Sequence, residues 1–188
     1  MDIGKTFYTH SRSVWRSWLA KHHATEKEIW LIYYKQGASK KRIPYHAAVE
    51  EALCYGWIDS TTKSIDAERY AQRFSPRRPK SVLSGLNKER VLRLIAAKKM
   101  RKAGMAALAH HLDAKGRAPK AYIFPKDILS EIQKDPAAWK HYKKFPLSYR
   151  RIRVAWIEGA RDRPEVFRTR LRYFIAKCGK NERFGMER

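Results

Sequence analysis

Acidic side chains are scarce: 18 Asp and Glu stand against 42 Lys and Arg in 188 residues, a formal net charge of +24. That imbalance excludes direct capture of a cationic partner. It also makes self-repulsion a cost of folding, so an anionic partner or counter-ion layer is expected. Cysteine is scarcer still. Cys54 and Cys178 lie far apart, with no Cys or His at zinc spacing, which argues against a disulfide framework and a structural zinc site. Long apolar runs are missing too. No window approaches the roughly 18 uninterrupted apolar residues of a spanning helix, and Met1 to His10 has no apolar stretch like that of a secretory leader. Repeats and low-complexity segments are absent. The expectation is a cytoplasmic protein without a membrane span, cofactor or metal.

Hydrophobic residues make up 44% of the chain and aromatics 12%, so the charge rides on a folded protein and not on a disordered polycation. The charge is uneven. Residues 1–60 carry 9 basic and 6 acidic side chains, 61–125 carry 16 and 4, and 126–188 carry 17 and 8. Basicity therefore steps up after residue 60 and persists to the end. A polyanion, DNA or RNA first and acidic lipid headgroups second, is the expected partner.

Local patterns divide the chain in two. Ser11 or Ser13 can cap a helix with Val14, Trp15, Trp18 and Leu19 on one side. Ile29–Tyr34 is β-branched and aromatic, as in a strand buried on both faces. Pro44 and Gly56 bracket a helix whose stripe is Tyr45, Ala48, Val49, Ala52 and Leu53, with Glu50 and Glu51 turned to water. Trp57–Ile65 and Arg69–Ser75 form a hairpin around Asp66-Ala67-Glu68. Helices are expected from Ser81 or Ser84 to Lys98 and from Ala103 to Ala114. Beyond Gly116-Arg117-Ala118-Pro119 the pattern is helical throughout, in segments 126–134, 136–144 and 149–160 and in one opened by Pro164. The expected fold is α+β: a small, mostly antiparallel sheet with covering helices over residues 1–118, then an all-helical module over 119–188.

The densest chemistry runs from Cys54-Tyr55-Gly56-Trp57-Ile58-Asp59-Ser60 to Ser75-Pro76-Arg77-Arg78-Pro79-Lys80-Ser81. Guanidinium forks on a proline-stiffened loop suit phosphate or carboxylate, and hydroxyls at a helix start add to them. Arg73, Arg77, Arg78, Lys80, Ser81, Ser84 and Asn87 are therefore the candidate anion-binding residues, the last three sharing one helical face by their spacing. The bland alternative is that the arginines brace Asp59 and Asp66 while the serines cap. Asp59 as base with Ser60 or Cys54 as nucleophile is the catalytic reading, with Asp59 and Cys54 its candidates. Adjacent strand residues face opposite ways, Cys54 suits a core, and Asp59 is expected to pair with Arg73 or Lys63. An enzyme would process a small anionic substrate at Asp59, Arg73 and Arg77. Trp57 and Tyr70, with Phe74, could stack bases, or lie in the core as hairpin aromatics commonly do. Arg150, Arg151, Arg153, Arg168 and Arg170 could track phosphates along the C-terminal module, or form a solvated face. His22-His23 and His110-His111 diverge if helical, so neither pair is read as a chelate.

These residues resemble the YdeI/OmpD-associated family. Trp15-Arg16-Ser17-Trp18-Leu19 and Glu28-Ile29-Trp30-Leu31 look like its opening, and Tyr45 through Asn87 is the densest match. Phe124-Pro125-Lys126-Asp127, Tyr149-Arg150-Arg151 and Arg168-Thr169-Arg170-Leu171 are similar to its helical module. Leu83 and Ala118 depart from it, standing where members tend to carry tryptophan. The resemblance implies a role in protection against bacteriocins or cationic peptides, without an enzymatic activity. Because a +24 chain repels cationic peptides, such a role would act through a shared anion or a protein partner.

Overall fold

The computed structural model describes residues 2–38, 40–79, 81–112 and 122–185. Lys80 and the segment Gly116 to Pro119 lie outside the described residues. Two compact units are present. One comprises Met1–Ser81 and Val91–Ala118, the other Val82–Arg90 and Pro119–Arg188. The fold is α+β, a four-stranded sheet with helices and a helical C-terminal region.

The first unit is built from β1 (Thr6–Tyr8), α1 (Arg12–His22), β2 (Ile29–Tyr34), α2 (Tyr45–Cys54), β3 (Trp57–Ser64) and β4 (Arg69–Pro76). The sheet order is β1-β2-β4-β3, with β1 parallel to β2 and the other pairs antiparallel. Strand β1 was not foreseen. Three residues are too few to show a period, and only pairing with β2 makes them a strand. Asp66 builds the hairpin turn by accepting from the backbone N–H groups of Glu68 and Arg69 and from the Arg69 guanidinium.

One sheet face presents Tyr33, Tyr70, Gln72 and Phe74, since Tyr33 pairs with Tyr70 and strand neighbours alternate. Helices α1 and α2 cover it. The Trp15 ring meets the Phe74 ring at 5.4 Å, and Trp15 Nε1 donates to Ala48 O at 3.0 Å. Trp57 joins this core edge-on to Trp18 and donates to His23 O, so neither Trp57 nor Phe74 can stack on a base. Tyr70 is half-buried and lies flat on Tyr33, 5.2 Å between centroids. Trp57 and Phe74 are core, and Tyr70 packs on Tyr33 at its margin.

Helix α2 starts after Pro44 and stops at Gly56, whose φ of +77° is a left-handed conformation that glycine adopts without a Cβ penalty. The expected apolar stripe widens into burial of every residue from Ala47 to Cys54. Glu50 and Glu51 do not face water as expected. Glu51 is only 3% exposed and takes Arg12 Nε at 2.6 Å together with the Arg16 guanidinium. Glu50 takes Arg12 at 3.0 Å and Arg93 at 2.6 Å. Burial pulls the Arg12 and Arg16 pKa values down, and the carboxylates more than offset it, so both guanidinium groups end above their ordinary value.

Helix α3 (Gly85–Ala96) contributes residues to both units. It begins at Gly85, with Ser84 Oγ accepting from Asn87 N at 3.2 Å. Ser81 therefore precedes the helix, and Ser81, Ser84 and Asn87 do not share a helical face. Helix α4 (Lys102–Ala107) is shorter than expected, passing at Leu108 into a 3-10 turn over Ala109–His111.

In the second unit, α5 (Lys126–Gln133), α6 (Pro136–Lys144), α7 (Leu147–Glu158) and α8 (Pro164–Gly179) enclose Ile128, Ile132, Tyr142, Tyr149, Ile157 and Phe174. Asp135 caps α6 by accepting from Ala138 N at 2.9 Å. Burial pushes the Cys178 thiol up to about 12, consistent with a core residue.

Candidate anion-binding site

The loop after β4 is a folded knot more than an open clamp. Arg77 is only 7% exposed, its backbone N–H bonded to Gly56 O at 2.9 Å and its guanidinium reaching Ser81 O at 3.4 Å. Burial lowers its pKa, and the nearby Asp59 carboxylate offsets only part of that. His110 and His111 were expected to diverge. On a 3-10 turn they converge instead: their Nε2 atoms lie 3.2 and 3.0 Å from the same Ser81 carbonyl oxygen. Of the loop's described cations, Arg78 is the one left exposed.

Asp59 and Arg73 do not meet. Asp59 pairs with Phe74 in the β3–β4 register, which places it on the Phe74 face, where it accepts from Tyr45 Oη at 2.5 Å. Arg73 faces the other way, holding Glu28 at 2.6 Å and donating to Ser60 Oγ. The expected Asp59 pairing with Arg73 or Lys63 is replaced by these contacts, because the register separates the two faces. Ser84 and Asn87 belong to the second unit, and Asn87 Oδ1 accepts from Arg90 at 2.9 Å. Cys54 is fully buried, and loss of solvation raises its thiol pKa, which disfavours a thiolate nucleophile. The residues of the motif thus serve several local structures.

Arg73, and after it Trp30 Nε1, hold the Glu28 carboxylate below the usual 4.5. A depressed folded-state value adds stability above the unfolded-state pKa and loses it as pH falls through the folded one. Glu28→Gln is therefore expected to flatten the acid limb of stability at and below pH 4.5, leaving pH 7 and above parallel to the parent. Urea unfolding at stepped pH reads this out. Parallel curves throughout the acid range would refute it.

The arginines of the helical unit also have local roles. Arg153 is buried, stacked over Tyr149 and Phe184, and cannot touch a phosphate backbone. Arg150 lies over Tyr142 and Arg170 over Trp156 at 4.7 Å. Arg151 bonds Glu89, and Arg168 pairs with Glu165. Arginine's flat cation stacks on rings as an ammonium does not, which accounts for Arg over Lys in this stretch without a nucleic acid.

A cluster of cations without carboxylate partners lies elsewhere. Lys98, Lys99, Arg101 and Lys102 are all exposed, and among the described residues none has a carboxylate partner. Their backbone is pinned: Lys98 N bonds Ile95 O, Lys99 N bonds Leu94 O, and Arg101 N bonds Cys54 O. Three cations thus stand on a fixed turn between α3 and α4, and a fourth, Lys102, opens α4. Sequence reasoning passed over them, although Lys98-Lys99-Met100-Arg101-Lys102 is plain as a charge run.

Residues 7–107 match a family model described as a domain of unknown function, DUF8412. The chain belongs to this family. Within DUF8412 limits fall all of the sheet but Thr6, the Glu50–Glu51 cluster and the Lys98–Lys102 run. Residues 121–181 match a second model, described as Bacteriocin-protection, YdeI or OmpD-Associated, which takes in the C-terminal part of that resemblance, Phe124 through Leu171. Tyr45 through Asn87 falls under DUF8412 and not under the second model. No curated protein and no solved structure matches the chain.

Proposed function

We propose that this DUF8412 and YdeI/OmpD-associated protein is a non-enzymatic polyanion binder, with nucleic acid in the cytoplasm as its ligand. The observation that supports this is the turn carrying Lys98, Lys99, Arg101 and Lys102, exposed and without carboxylate partners among the described residues. Many other cations are paired with internal carboxylates or stacked on aromatic rings, so this turn offers phosphates a cluster of exposed charge with no carboxylate beside it. The "bacteriocin-protection" in the second family's description fits this reading only indirectly. A protein of charge +24 repels cationic peptides, and would protect by covering an anion that they seek.

The test is a salt titration of binding to labelled duplex DNA, RNA and acidic vesicles. Each lost phosphate contact on a duplex removes about 0.9 from the slope of log K against log salt. Neutralising Lys98, Lys99, Arg101 and Lys102 to glutamine together should flatten that slope by roughly 3 to 4. Arg168→Gln, whose guanidinium is already paired, should leave it unchanged. Absence of binding in dilute buffer, or an unaltered slope in the fourfold variant, would sink the proposal. Stronger retention on vesicles than on either nucleic acid would reassign the ligand to lipid headgroups.

A further inference from the structure

The second unit contains a cleft of about 860 Å³ that none of the roles above uses. Its walls come from Val82–Leu86 and Lys88, from Tyr122, Ile123 and Pro125, and from α7 and α8. The surface is mainly apolar, and two aliphatic side chains stand at it almost fully exposed, Val82 at 80% and Ile123 at 87%. Isolated exposed aliphatics are ordinary. Two on one cleft already lined by Leu86, Ile152 and Trp156 form a continuous apolar surface that water solvates poorly. The volume falls within the span of roughly 300–1,000 Å³ typical of small-molecule sites.

The charged groups at the cleft decide what would fit. Its one carboxylate among the described residues, Glu158, is already spent, each oxygen taking an Arg161 N–H at 2.6 Å. Among its described cations, Arg153 is taken up by the Tyr149 and Phe184 rings, and two remain. Lys88 is exposed, and neither it nor Arg170 has a carboxylate partner among the described residues. Arg170 is also held in place. Its guanidinium lies over the Trp156 ring at 4.7 Å, and Nη1 donates to Trp156 O at 2.6 Å, leaving other N–H groups for a ligand. A fixed guanidinium fork beside an apolar wall matches a planar carboxylate attached to a hydrocarbon body.

We propose that this cleft binds a single-chain amphipathic carboxylate, an acyl anion of the fatty-acid class. The chain lies along Leu86, Ile123, Ile152 and the Trp156 ring, and the carboxylate is held by Arg170 with Lys88 beside it. Cationic amphiphiles are excluded by the same two side chains. This site is separate from the proposed phosphate-binding turn, and either can fail without the other.

The experiment is calorimetric titration of the full chain with octanoate, decanoate and dodecanoate below their micelle concentrations, alongside acetate, decanol and decyltrimethylammonium. Decanoate should bind, decanol more weakly, and acetate and decyltrimethylammonium not at all. Each added methylene should tighten binding by about threefold to fourfold. Arg170→Gln should weaken decanoate by about tenfold or more while leaving decanol unchanged. Ile123→Ser, at an exposed position where folding is not at stake, should weaken both. The fourfold glutamine variant of the 98–102 turn should bind decanoate like the parent, which excludes a diffuse charge effect. Equal binding of decanoate and decyltrimethylammonium, no dependence on chain length, or an unaffected Arg170→Gln would overturn the proposal.

Discussion

Glu51→Ala is expected to cost about 3 kcal/mol, lowering the unfolding midpoint by roughly 10 °C. The carboxylate is almost fully buried and answers two guanidinium groups, Arg12 and Arg16, while its neighbour Glu50 answers Arg12 and Arg93. Removing one partner of a buried pair leaves the other charges poorly solvated and unmatched, and that residue of unpaired charge is most of the cost. In a chain of +24 the loss also adds to the general repulsion. Arg12 and Arg16 keep some solvent access, which holds the figure toward the low end of the buried-pair range. Glu51→Gln, retaining an acceptor oxygen, should fall between parent and alanine. Calorimetric or circular-dichroism melting measures all three. A shift of less than a third of that expected for alanine would show that the cluster is decorative.

Gly104→Val should be at least as damaging, at about 3 kcal/mol, or yield insoluble protein. A Cβ at this position would sit 2.7 Å from the Cys54 carbonyl carbon and 2.8 Å from Leu53 O, nearer still to Cys54 O. Those atoms are backbone at the end of α2 and cannot swing aside as a long side chain could. Even alanine should destabilise here, against its usual helix advantage over glycine of about 1 kcal/mol. That reversal of sign is the informative result. Ala106→Val, on the exposed side of α4, is the control and should cost about 0.5 kcal/mol. Urea midpoints at constant m distinguish the cases. Equal losses at 104 and 106 would mean that α4 does not depend on this close approach.

Much of the fold was legible because local chemistry and tertiary packing agreed. Pro44 and Gly56 framed α2, Asp66 organised the hairpin turn, and the prolines at 136 and 164 opened helices. What failed was the destination of charged side chains. Glu50 and Glu51 look solvent-bound on a helical wheel, since the arginines that neutralise them come from α1 and α3, far along the chain. Arg12 and Arg16 lie one helical turn apart, but that spacing alone does not say what faces them.

The candidate site was less legible than the fold. Asp59 and Arg73 were paired by their nearness across a hairpin, and a single register step decides which face each takes. The arginines of α7 and α8 suggested a binding face because sequence reports charge and not the ring beneath it. Tyr142, Tyr149 and Trp156, interleaved with Arg150, Arg153 and Arg170, were the available signal. His110 and His111 were misjudged through assuming a helix where a tighter turn brings both rings to one oxygen.

The helical unit borrows Val82–Arg90 from the middle of the DUF8412 match, so inheritance and architecture are cut at different places. Recombining residues 121–181 into another gene would move α7 without Gly85, which packs against Ala155, and without Glu89, which bonds Arg151. A hybrid made that way would carry a raw seam on its transplanted half. Evolutionary shuffling of this half would therefore have needed the nine-residue loan to travel with it or be replaced in kind.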